Sequence, residues 1–279
     1  MVIVKTIAEA QSACAQLRGE DRVLGLVPTM GALHEGHLSL VRAARAACDT
    51  VAASIFVNPT QFGPNEDFSK YPRTFDDDCA LLERDGVDLI FAPTVEQMYP
   101  AGASTFVVVE GVSDRLDGAS RPGHFRGVTT VVSKLFHITG PHKAFFGQKD
   151  AAQVAILRKM VRDLNFPLQL VVCPIVREAD GLALSSRNRY LSAKEREHAL
   201  VLHRALGKME EVAASGERSS ARLIEAAREI LAQEPGVRVD YVAVVDPETL
   251  KDVFEVTDGA LAAVAAFVGA TRLIDNVLL

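Results

Sequence analysis

The sequence predicts an α/β protein: a Rossmann-like parallel sheet with helices on both faces, followed by a smaller C-terminal α+β domain. Apolar runs of strand length alternate with helical patterns over about the first 175 residues, which is the rhythm of βαβ units. The strand-like runs are continuously apolar, which is typical of parallel strands covered on both faces. Beyond about residue 190 the pattern changes to two long helical stretches and three strand-like runs.

The predicted elements follow one another without long interruptions. The N-terminal MVIVKTIAEAQSACAQLRGEDR is a short strand and an amphipathic helix, and after it come, in turn, VLGLVP, LSLVRAARAAC, TVAASIFV, a helix after Thr74, VDLIFAP, VTTVVSKLFHI, KAFFG, AAQVAILRKMVRDL and LQLVVCP. The later part contains helices at about 193–215 and 219–232, then VRVDYVAVVD, ALAAVAAFV and TRLIDNVLL. We therefore place one domain at 1–175 and a second at 176–279, with a hinge near 176–189.

Composition limits the classes of partner. Lys plus Arg total 30 against 36 Asp plus Glu, and this net charge of −6 gives no general attraction for nucleic acid or an anionic membrane. The four cysteines form no C-x-x-C pair, the N-terminus lacks the pattern of a signal peptide, and the longest apolar run, GALAAVAAFVGA, is too short to span a bilayer. We expect a soluble cytoplasmic protein.

The stretch PTMGALHEGHLSL places two histidines between a strand and a helix predicted to open at His37 to Ser39. Helix N-termini attract anions, so His34 and His37 beside the free amides of the first turn suit a phosphate. A zinc site of the H-E-x-x-H kind needs histidines four residues apart, and here the spacing is three. Two loop histidines without a role remain the alternative.

The next strand leads into NPTQFGPNEDFSKYPRT, where Asn58 and Gln61 offer neutral amides that could hold a hydroxyl or a carboxylate. Turn formation is the alternative for Asn58, because Asn-Pro commonly starts a turn. Downstream, TFDDDCALLERDG resembles a run of metal ligands, but Thr74 with Asp77 fits a capping box, and we expect these aspartates to cap a helix.

RPGHFRGVTTVVSKLF is a basic segment flanked by glycines. Arg121, His124 and Arg126 could close over an anion or form a solvated loop, and Lys134 is expected on a helix surface.

Two later segments could hold a polyphosphate. In AFFGQKDAAQVAIL, Lys149 could clamp a phosphate or carboxylate, Asp150 could cap the helix or hold a ribose hydroxyl, and Gln153 lies one turn further on, with surface salt bridging as the alternative. In DGLALSSRNRYLS, two serine hydroxyls precede Arg187, although this segment could also merely turn the loop.

Six blocks along the chain together resemble one family. They are PTMGALHEGHLSLVRAA, SIFVNPTQFGPNEDFSKYPRT, RPGHFRGVTTVVSKLF, FFGQKD, VREADGLALSSRNRYLS and TRLIDN. In this order they resemble the pantothenate synthetase family, also called pantoate–β-alanine ligases. HEGH is similar to the H-x-G-H signature of nucleotidyltransferases and class I aminoacyl-tRNA synthetases, and LSSRN to their second, phosphate-binding signature.

The resemblance implies an ATP-dependent ligase of the pathway that supplies pantothenate for coenzyme A. ATP and (R)-pantoate would give pantoyl adenylate and pyrophosphate, and β-alanine would then displace AMP to form pantothenate. The resemblance further implies Mg²⁺ bound with ATP, no protein metal site and a homodimer. A tRNA synthetase or cytidylyltransferase, a zinc hydrolase and a non-catalytic nucleotide sensor are the competing hypotheses.

The resemblance also implies the site residues. His37 would be the proton donor, acting with His34, Lys149 and Arg187. The implied ATP-site residues are Met30, Gly31, Ala32, Leu33, His34, Glu35, Gly36, His37, Gly147, Gln148, Lys149, Asp150, Val176, Leu184, Ser185, Ser186 and Arg187. Pantoate would lie between Gln61, which also borders β-alanine, and Gln153, while Asn58 would support the nucleotide or adenylate.

The chain departs from the family pattern at three positions. Many members have Glu at position 148, where this chain has Gln, and an aromatic residue followed by Gln in place of Ala151 and Ala152. If residue 148 touches ATP mainly through its backbone, its replacement is tolerable. Local packing or affinity could still differ.

Overall fold

A computed structural model describes residues 1–19, 21–64 and 66–279, so Glu20 and Asn65, which fall within two of the stretches quoted above, lie outside the described residues. The strands are β1 (Val2–Val4), β2 (Leu24–Thr29), β3 (Thr50–Ile55), β4 (Leu89–Phe91), β5 (Lys143–Gly147), β6 (Gln169–Cys173), β7 (Val237–Val245), β8 (Leu261–Val268) and β9 (Thr271–Leu278). The α-helices are α1 (Ile7–Arg18), α2 (Glu35–Ala47), α3 (Phe75–Arg84), α4 (Val95–Met98), α5 (Asp117–Ser120), α6 (His124–Thr139), α7 (Ala151–Asp163), α8 (Ala193–Ala199), α9 (Val201–Ala214) and α10 (Ser220–Leu231). Short 3-10 helices lie at Pro59–Gln61, Gln148–Asp150 and Ser186–Tyr190.

The larger sheet is parallel throughout the described residues and has the strand order β1-β4-β3-β2-β5-β6. Its strand order reverses between β2 and β5, because β2 pairs with β3 on one side and with β5 on the other. In open parallel sheets such a reversal leaves a crevice at the carboxyl ends of the strands, where ligands bind. The loops that follow β2 and β5 therefore flank the natural ligand site of this fold.

Helices cover both faces of this sheet. Leu24 and Leu26 of β2 pack into a core with α1, α6 and α7, whereas Val27 of the same strand faces a second core with α2 and α3. Successive residues of a strand point to opposite faces, so a strand covered on both sides must be apolar throughout. The predicted fold class is confirmed.

The smaller sheet is antiparallel, in the order β7-β8-β9. Val242 and Val244 of β7 pack in a core with α9 and α10, while Ala243 and Val245 join the core of the larger sheet. The smaller sheet is thereby fixed against the larger one through apolar side chains. The division of the chain at residues 175 and 176, and the hinge, stay predictions.

Three local predictions need correction. Helix α2 begins at Glu35 rather than at His37 to Ser39, because His34 is the residue that caps it. The predicted helix at 193–215 is divided at Leu200, whose N–H bonds to the carbonyl of Glu197 only three residues back.

None of the helices that the structure describes is long and apolar enough for a membrane span.

The third correction concerns the predicted capping box at Thr74 and Asp77. Thr74 precedes α3, but its hydroxyl accepts no backbone N–H. Instead it donates to the Oδ1 atom of Asp78 at 3.2 Å. The buried carboxylate of Asp78 competes successfully for the hydroxyl, so the capping arrangement does not form.

Candidate functional site

One cavity opens at the carboxyl edge of the larger sheet, beside the reversal between β2 and β5. It gathers predicted residues from five separate stretches of sequence, and they are Met30, His34, Gly36, His37, Gln61, Gly147, Lys149, Asp150, Gln153, Val176, Leu184, Ser185, Ser186 and Arg187. A second, contiguous cavity shares Lys149, Gln153 and Arg187 with the first and extends toward β9. The fold thus brings together segments that are far apart in the chain.

His34 and His37 lie together at the N-terminus of α2, with ring centroids 4.1 Å apart. The Nδ1 atom of His34 accepts the N–H of Gly36 at 3.2 Å, and the Nδ1 atom of His37 accepts the N–H of His34 at 3.3 Å. Each ring therefore caps the helix through its own Nδ1 atom. A neutral ring that accepts through Nδ1 carries its proton on Nε2, so each can act as a hydrogen-bond donor to a ligand.

Both imidazoles are neutral at pH 7. Burial, reinforced by the charge of Lys149, lowers the pKa of His34 to about 4. Burial and the neighbouring His34 lower the pKa of His37 to about 3. The site therefore offers neutral N–H donors to an anion, and it takes its positive charge from lysine and arginine.

The turn after β5 brings Lys149 to the cavity and is fixed from behind by β9. Asn276 is buried, and its side-chain amide donates to the carbonyls of Gln148 and Lys149 at 3.0 and 2.9 Å. Gln148 returns a hydrogen bond from Nε2 to Oδ1 of Asn276 at 3.0 Å. The side chain of Gln148 thus faces β9, and Lys149, which lies 3.5 Å from the carboxylate of Asp150, lines the cavity.

The hydroxyls and guanidinium of the LSSRN segment form the opposite wall. Ser185 caps the short helix at Ser186–Tyr190 by accepting the N–H of Arg187 at 3.2 Å. The hydroxyl of Ser186 donates to the carbonyl of Ala32 at 3.2 Å, which ties this wall to the loop after β2. Arg187 is paired with Asp67 through two hydrogen bonds.

Gln61 lines the cavity and Asn58 supports it from beneath. Asn58 is only 1% exposed, and its Nδ2 atom donates to Oε1 of Gln61 at 3.1 Å. Its Oδ1 atom accepts hydrogen bonds from the hydroxyls of Thr60 and Tyr99 at 2.9 and 2.8 Å. The Nε2 atom of Gln61 contacts the sulfur of Met30 at 3.0 Å. Asn58 does not line the cavity and hydrogen-bonds Gln61, which does.

Five further residues from the predicted set lie around the cavity without lining it: Gly31, Ala32, Leu33, Glu35 and Gln148. The first three are buried behind the cavity wall, and Glu35 is exposed and paired with Arg42. Their assignment to the ATP site stays a prediction.

Arg121 and His124 of the basic segment line the cavity with Gln61, whereas Arg126 is exposed. Closure of this segment over an anion stays a prediction. Arg121 donates to Nε2 of His124 at 2.9 Å, so Nδ1 of that ring donates to the carbonyl of Gln61 at 2.8 Å. Burial and Arg121 lower the pKa of His124 to about 4. Arg121 also pairs with Glu66 at 2.6 Å, and this attraction outweighs burial and lowers the pKa of the carboxyl.

Sequence reasoning missed several residues of the site. Phe62, Tyr71, Pro174 and Ile175 add apolar walls, and Asp67 and Asp78 act from just outside. Pro174 and Ile175 directly follow the last residue of β6, and this position was the signal in the sequence that could have identified them. Nothing in the local pattern distinguished Asp78 from its two acidic neighbours. Of the other basic residues, Arg126 lies over the ring of Phe106, and Lys134 is near Tyr99 on α6.

The composition of the walls limits the chemistry of a ligand that would fit. The lining includes the cations Arg121, Lys149 and Arg187, the hydroxyls of Ser185 and Ser186, the imidazoles of His34 and His37, and the amides of Gln61 and Gln153. Cationic and neutral donors suit a polyphosphate, while paired amides suit hydroxyl and carboxylate groups. Within the described residues, no three His, Cys, Asp or Glu side chains are grouped in a way that could hold a metal ion.

Comparisons with known proteins agree with this site. The profile of the family described as pantoate-beta-alanine ligase matches residues 2–278. The pantothenate synthetase of Acidobacterium capsulatum is 69% identical over 286 residues, covering 99% of this chain and 96% of its own. That of Koribacter versatilis is 61% identical over 279 residues, covering 100% and 96%.

Solved structures extend the likeness to three dimensions. The crystal structure of pantothenate synthetase from Thermus thermophilus matches with a TM-score of 0.94 at 50% identity, over 99% of each chain. The pantoate-beta-alanine ligase from Francisella tularensis, complexed with beta-gamma ATP and beta-alanine, matches with a TM-score of 0.82 at 33% identity, over 100% of this chain and 97% of its own. The chain described here therefore belongs to the pantoate–β-alanine ligase family.

Proposed function

We propose that this chain catalyses the ATP-dependent condensation of (R)-pantoate with β-alanine, giving pantothenate, AMP and pyrophosphate through a pantoyl adenylate. One observation carries the proposal: a single cavity contains both side chains that can bind phosphate and two side-chain amides. The phosphate-binding side chains are those of His34, His37, Lys149, Ser185, Ser186 and Arg187, and the amides are those of Gln61 and Gln153. Membership of the ligase family and the complexed Francisella enzyme support ATP and β-alanine as substrates.

In the first step the pantoate carboxylate attacks the α-phosphorus of ATP, and pyrophosphate leaves. Two anions must be held together, and negative charge grows on the bridging and leaving oxygens. Lys149 and Arg187 supply the opposing charge, and the Ser185 and Ser186 hydroxyls can hydrogen-bond the phosphates. Gln61 and Gln153 hold pantoate through its hydroxyls and carboxylate without adding charge.

The imidazoles act as neutral donors in this step. The lowered pKa values of His34 and His37 keep both rings neutral before ATP binds. Through Nε2–H, His37 donates to the phosphate oxygen on which charge develops, and His34 assists it. No additional cation is needed at the helix N-terminus, because the dipole of α2 already favours an anion there.

In the second step the neutral amine of β-alanine attacks the acyl carbon of pantoyl adenylate, the bond to the phosphate oxygen breaks, and AMP leaves. The proton that the nitrogen loses passes to the departing phosphate or to water. Gln61 borders both the adenylate and the incoming amine. We assign no dedicated base to the amine, and proximity within the cavity accounts for much of this step.

The site residues do not fit a protein-held Mg²⁺ centre, since the cavity walls present cations and hydroxyls rather than a grouped set of carboxylates. Mg²⁺ enters the proposal bound to the phosphates of ATP, and no step relies on a protein ligand to it.

Homodimerisation is also part of the proposal. Residues 103–109 lie outside the strands that the structure describes, and Phe106 and Val108 are 42% and 53% exposed there. Val107 between them is anchored on α6, its N–H donating to Thr130 and its carbonyl accepting from Thr129. Exposed apolar side chains on an anchored segment suit contact with a second copy. A cytoplasmic location is supported by the four cysteines, which are all free.

A coupled assay tests the function. AMP formation should require both pantoate and β-alanine, and pyrophosphate release should require pantoate alone. Pyrophosphate release only with CTP or an amino acid would show that the substrate assignment is wrong, and ATP binding without turnover would indicate a nucleotide sensor. Sedimentation tests the dimer: Val108→Lys should give a monomer, with the exposed Phe254→Lys as control, and a monomeric wild type would refute dimerisation.

A further inference from the structure

A buried carboxylate lies behind the loop that connects β2 to the histidines. Asp78, in the first turn of α3, is 1% exposed. Its Oδ2 atom accepts the N–H of Ala32 at 2.9 Å, and its Oδ1 atom accepts the N–H of Leu33 at 2.8 Å. The hydroxyl of Thr74 also donates to Oδ1. Both carboxylate oxygens are therefore occupied by the loop and by its own helix.

The loop it holds has an unusual backbone. Gly31 and Ala32 both have positive φ, at 79° and 51°. A left-handed conformation is unfavourable for alanine, and it persists where the surroundings hold it in place. A Cβ atom at Gly31 would lie 2.9 Å from Oδ2 of Asp78, so the carboxylate also approaches too closely for a side chain there. Two charge-assisted hydrogen bonds from consecutive amides are what this loop needs to keep its shape.

The shape of this loop sets the positions of both walls of the cavity. On its exit side, His34 follows Leu33 directly and caps α2. On its other side, the carbonyl of Ala32 accepts the hydroxyl of Ser186, which belongs to the phosphate-binding segment. The carboxylate of Asp78 thus holds Ala32 and Leu33, which connect His34 on one side to Ser186 on the other.

The neighbouring aspartates have a different environment. Asp76 and Asp77 share the first turn of α3 with Asp78 but are exposed. Their charges complement the helix dipole, as carboxylates in a first turn generally do. Only the third member of the acidic run reaches the loop, so the other two serve as matched controls.

We propose that Asp78 is a positioning residue of the ATP site, holding residues 31–33 so that His34, His37 and Ser186 meet the phosphates. This inference rests on the proposed function, because it assigns the loop to ATP. Asp78 contacts no ligand itself and acts through the Ala32 and Leu33 amides.

The test is the steady-state kinetics of Asp78→Asn beside Asp77→Asn. In Asp78→Asn an amide group replaces one acceptor and faces a backbone N–H, so we expect the KM for ATP to rise about tenfold and the rate of pyrophosphate release to fall. The KM for pantoate should change less than the KM for ATP, since Asp78 hydrogen-bonds neither Gln61 nor Gln153. The Asp77→Asn variant should behave like the wild type in every parameter.

A milder variant covers the case in which Asp78→Asn fails to fold. Thr74→Val removes one hydrogen bond to the carboxylate, and we expect a rise of about two- to threefold in the KM for ATP. An effect on unfolding alone, with an unchanged KM for ATP in the folded variants, would overturn the proposal. If the wild type shows no pantoate-dependent pyrophosphate release, the proposed function fails instead, and calorimetric titration with ATP then tests Asp78 by the same comparison of variants.

Discussion

Arg187 donates two hydrogen bonds to the carboxylate of Asp67, from Nε at 3.1 Å and from Nη2 at 2.9 Å. Both side chains are partly buried at the edge of the cavity. The guanidinium that we assign to the phosphates is therefore already paired with an anion from the loop after β3. ATP must either displace this carboxylate or share the guanidinium with it.

Replacement of Asp67 by Asn is expected to strengthen ATP binding. The variant removes a negative charge beside the phosphates and weakens the pairing that ATP has to overcome. A partly exposed ion pair such as Arg187–Asp67 contributes little energy. Its loss should therefore lower the KM for ATP by roughly two- to fivefold. Asp76→Asn, at an exposed position, is the control. An increased KM in Asp67→Asn would mean that the carboxylate orients Arg187 for ATP.

Replacement of His37 by Ala is expected to slow adenylate formation without unfolding the protein. The loss of one donor to developing charge lowers the single-turnover rate of pyrophosphate release by about 10²-fold. His137→Gln, on the exposed side of α6, should leave this rate unchanged. A His37→Ala rate equal to that of the wild type would remove His37 from the mechanism.

Replacement of Asn276 by Asp should disturb the Lys149 turn from behind. The amide of Asn276 donates to two carbonyls, whereas a carboxylate would face them with its oxygens. We expect the KM for ATP to rise about tenfold and the unfolding free energy to fall by about 1–3 kcal/mol. Denaturant titration and initial rates measure the two effects. Gln233→Glu, at an exposed position, adds the same negative charge and serves as the control. A normal KM for ATP in Asn276→Asp would show that the turn does not depend on the Asn276 amide.

Stability should decrease as the pH falls below the ordinary histidine range. The pKa values of His34 and His124 are about 4 and that of His37 is about 3 in the folded chain, against 6.5 as the ordinary value. Between about pH 6.5 and pH 4 the unfolded chain binds protons at these residues that the folded chain does not, so the free energy of unfolding decreases as the pH falls. More than about one pH unit above 6.5 these three residues contribute almost no pH dependence.

A His34→Gln variant isolates this effect from the titration of carboxylates. Urea denaturation at pH 5 and pH 7 should show a smaller loss of stability at pH 5 for His34→Gln than for the wild type, with His137→Gln as the comparison for an exposed histidine. Equal losses in His34→Gln and the wild type would contradict the lowered pKa.

Much of the cavity lining was predictable because its residues follow the ends of strands, and the strands are recognisable in the sequence from the alternation of apolar runs with helical patterns. His34, Lys149 and Gln61 each follow a strand closely, and parallel strands end at one edge of a sheet. Asn58 was harder to interpret. Its sequence context suited both a turn and a ligand contact, and only the tertiary structure shows that it is buried and hydrogen-bonds Gln61.

The sequence by itself determined the α/β class, the approximate elements and the motif positions, because the hydrophobic period and the strand-end placement are local properties. Tertiary structure alone decided which members of each motif face the cavity. Asp76, Asp77 and Asp78 are identical in type and adjacent in sequence, yet only Asp78 is buried against the amides of Ala32 and Leu33. The partner of a carboxylate depends on which backbone donors the packing of α3 and the β2 loop brings within hydrogen-bonding distance, and that packing joins residues 45 and 46 positions apart.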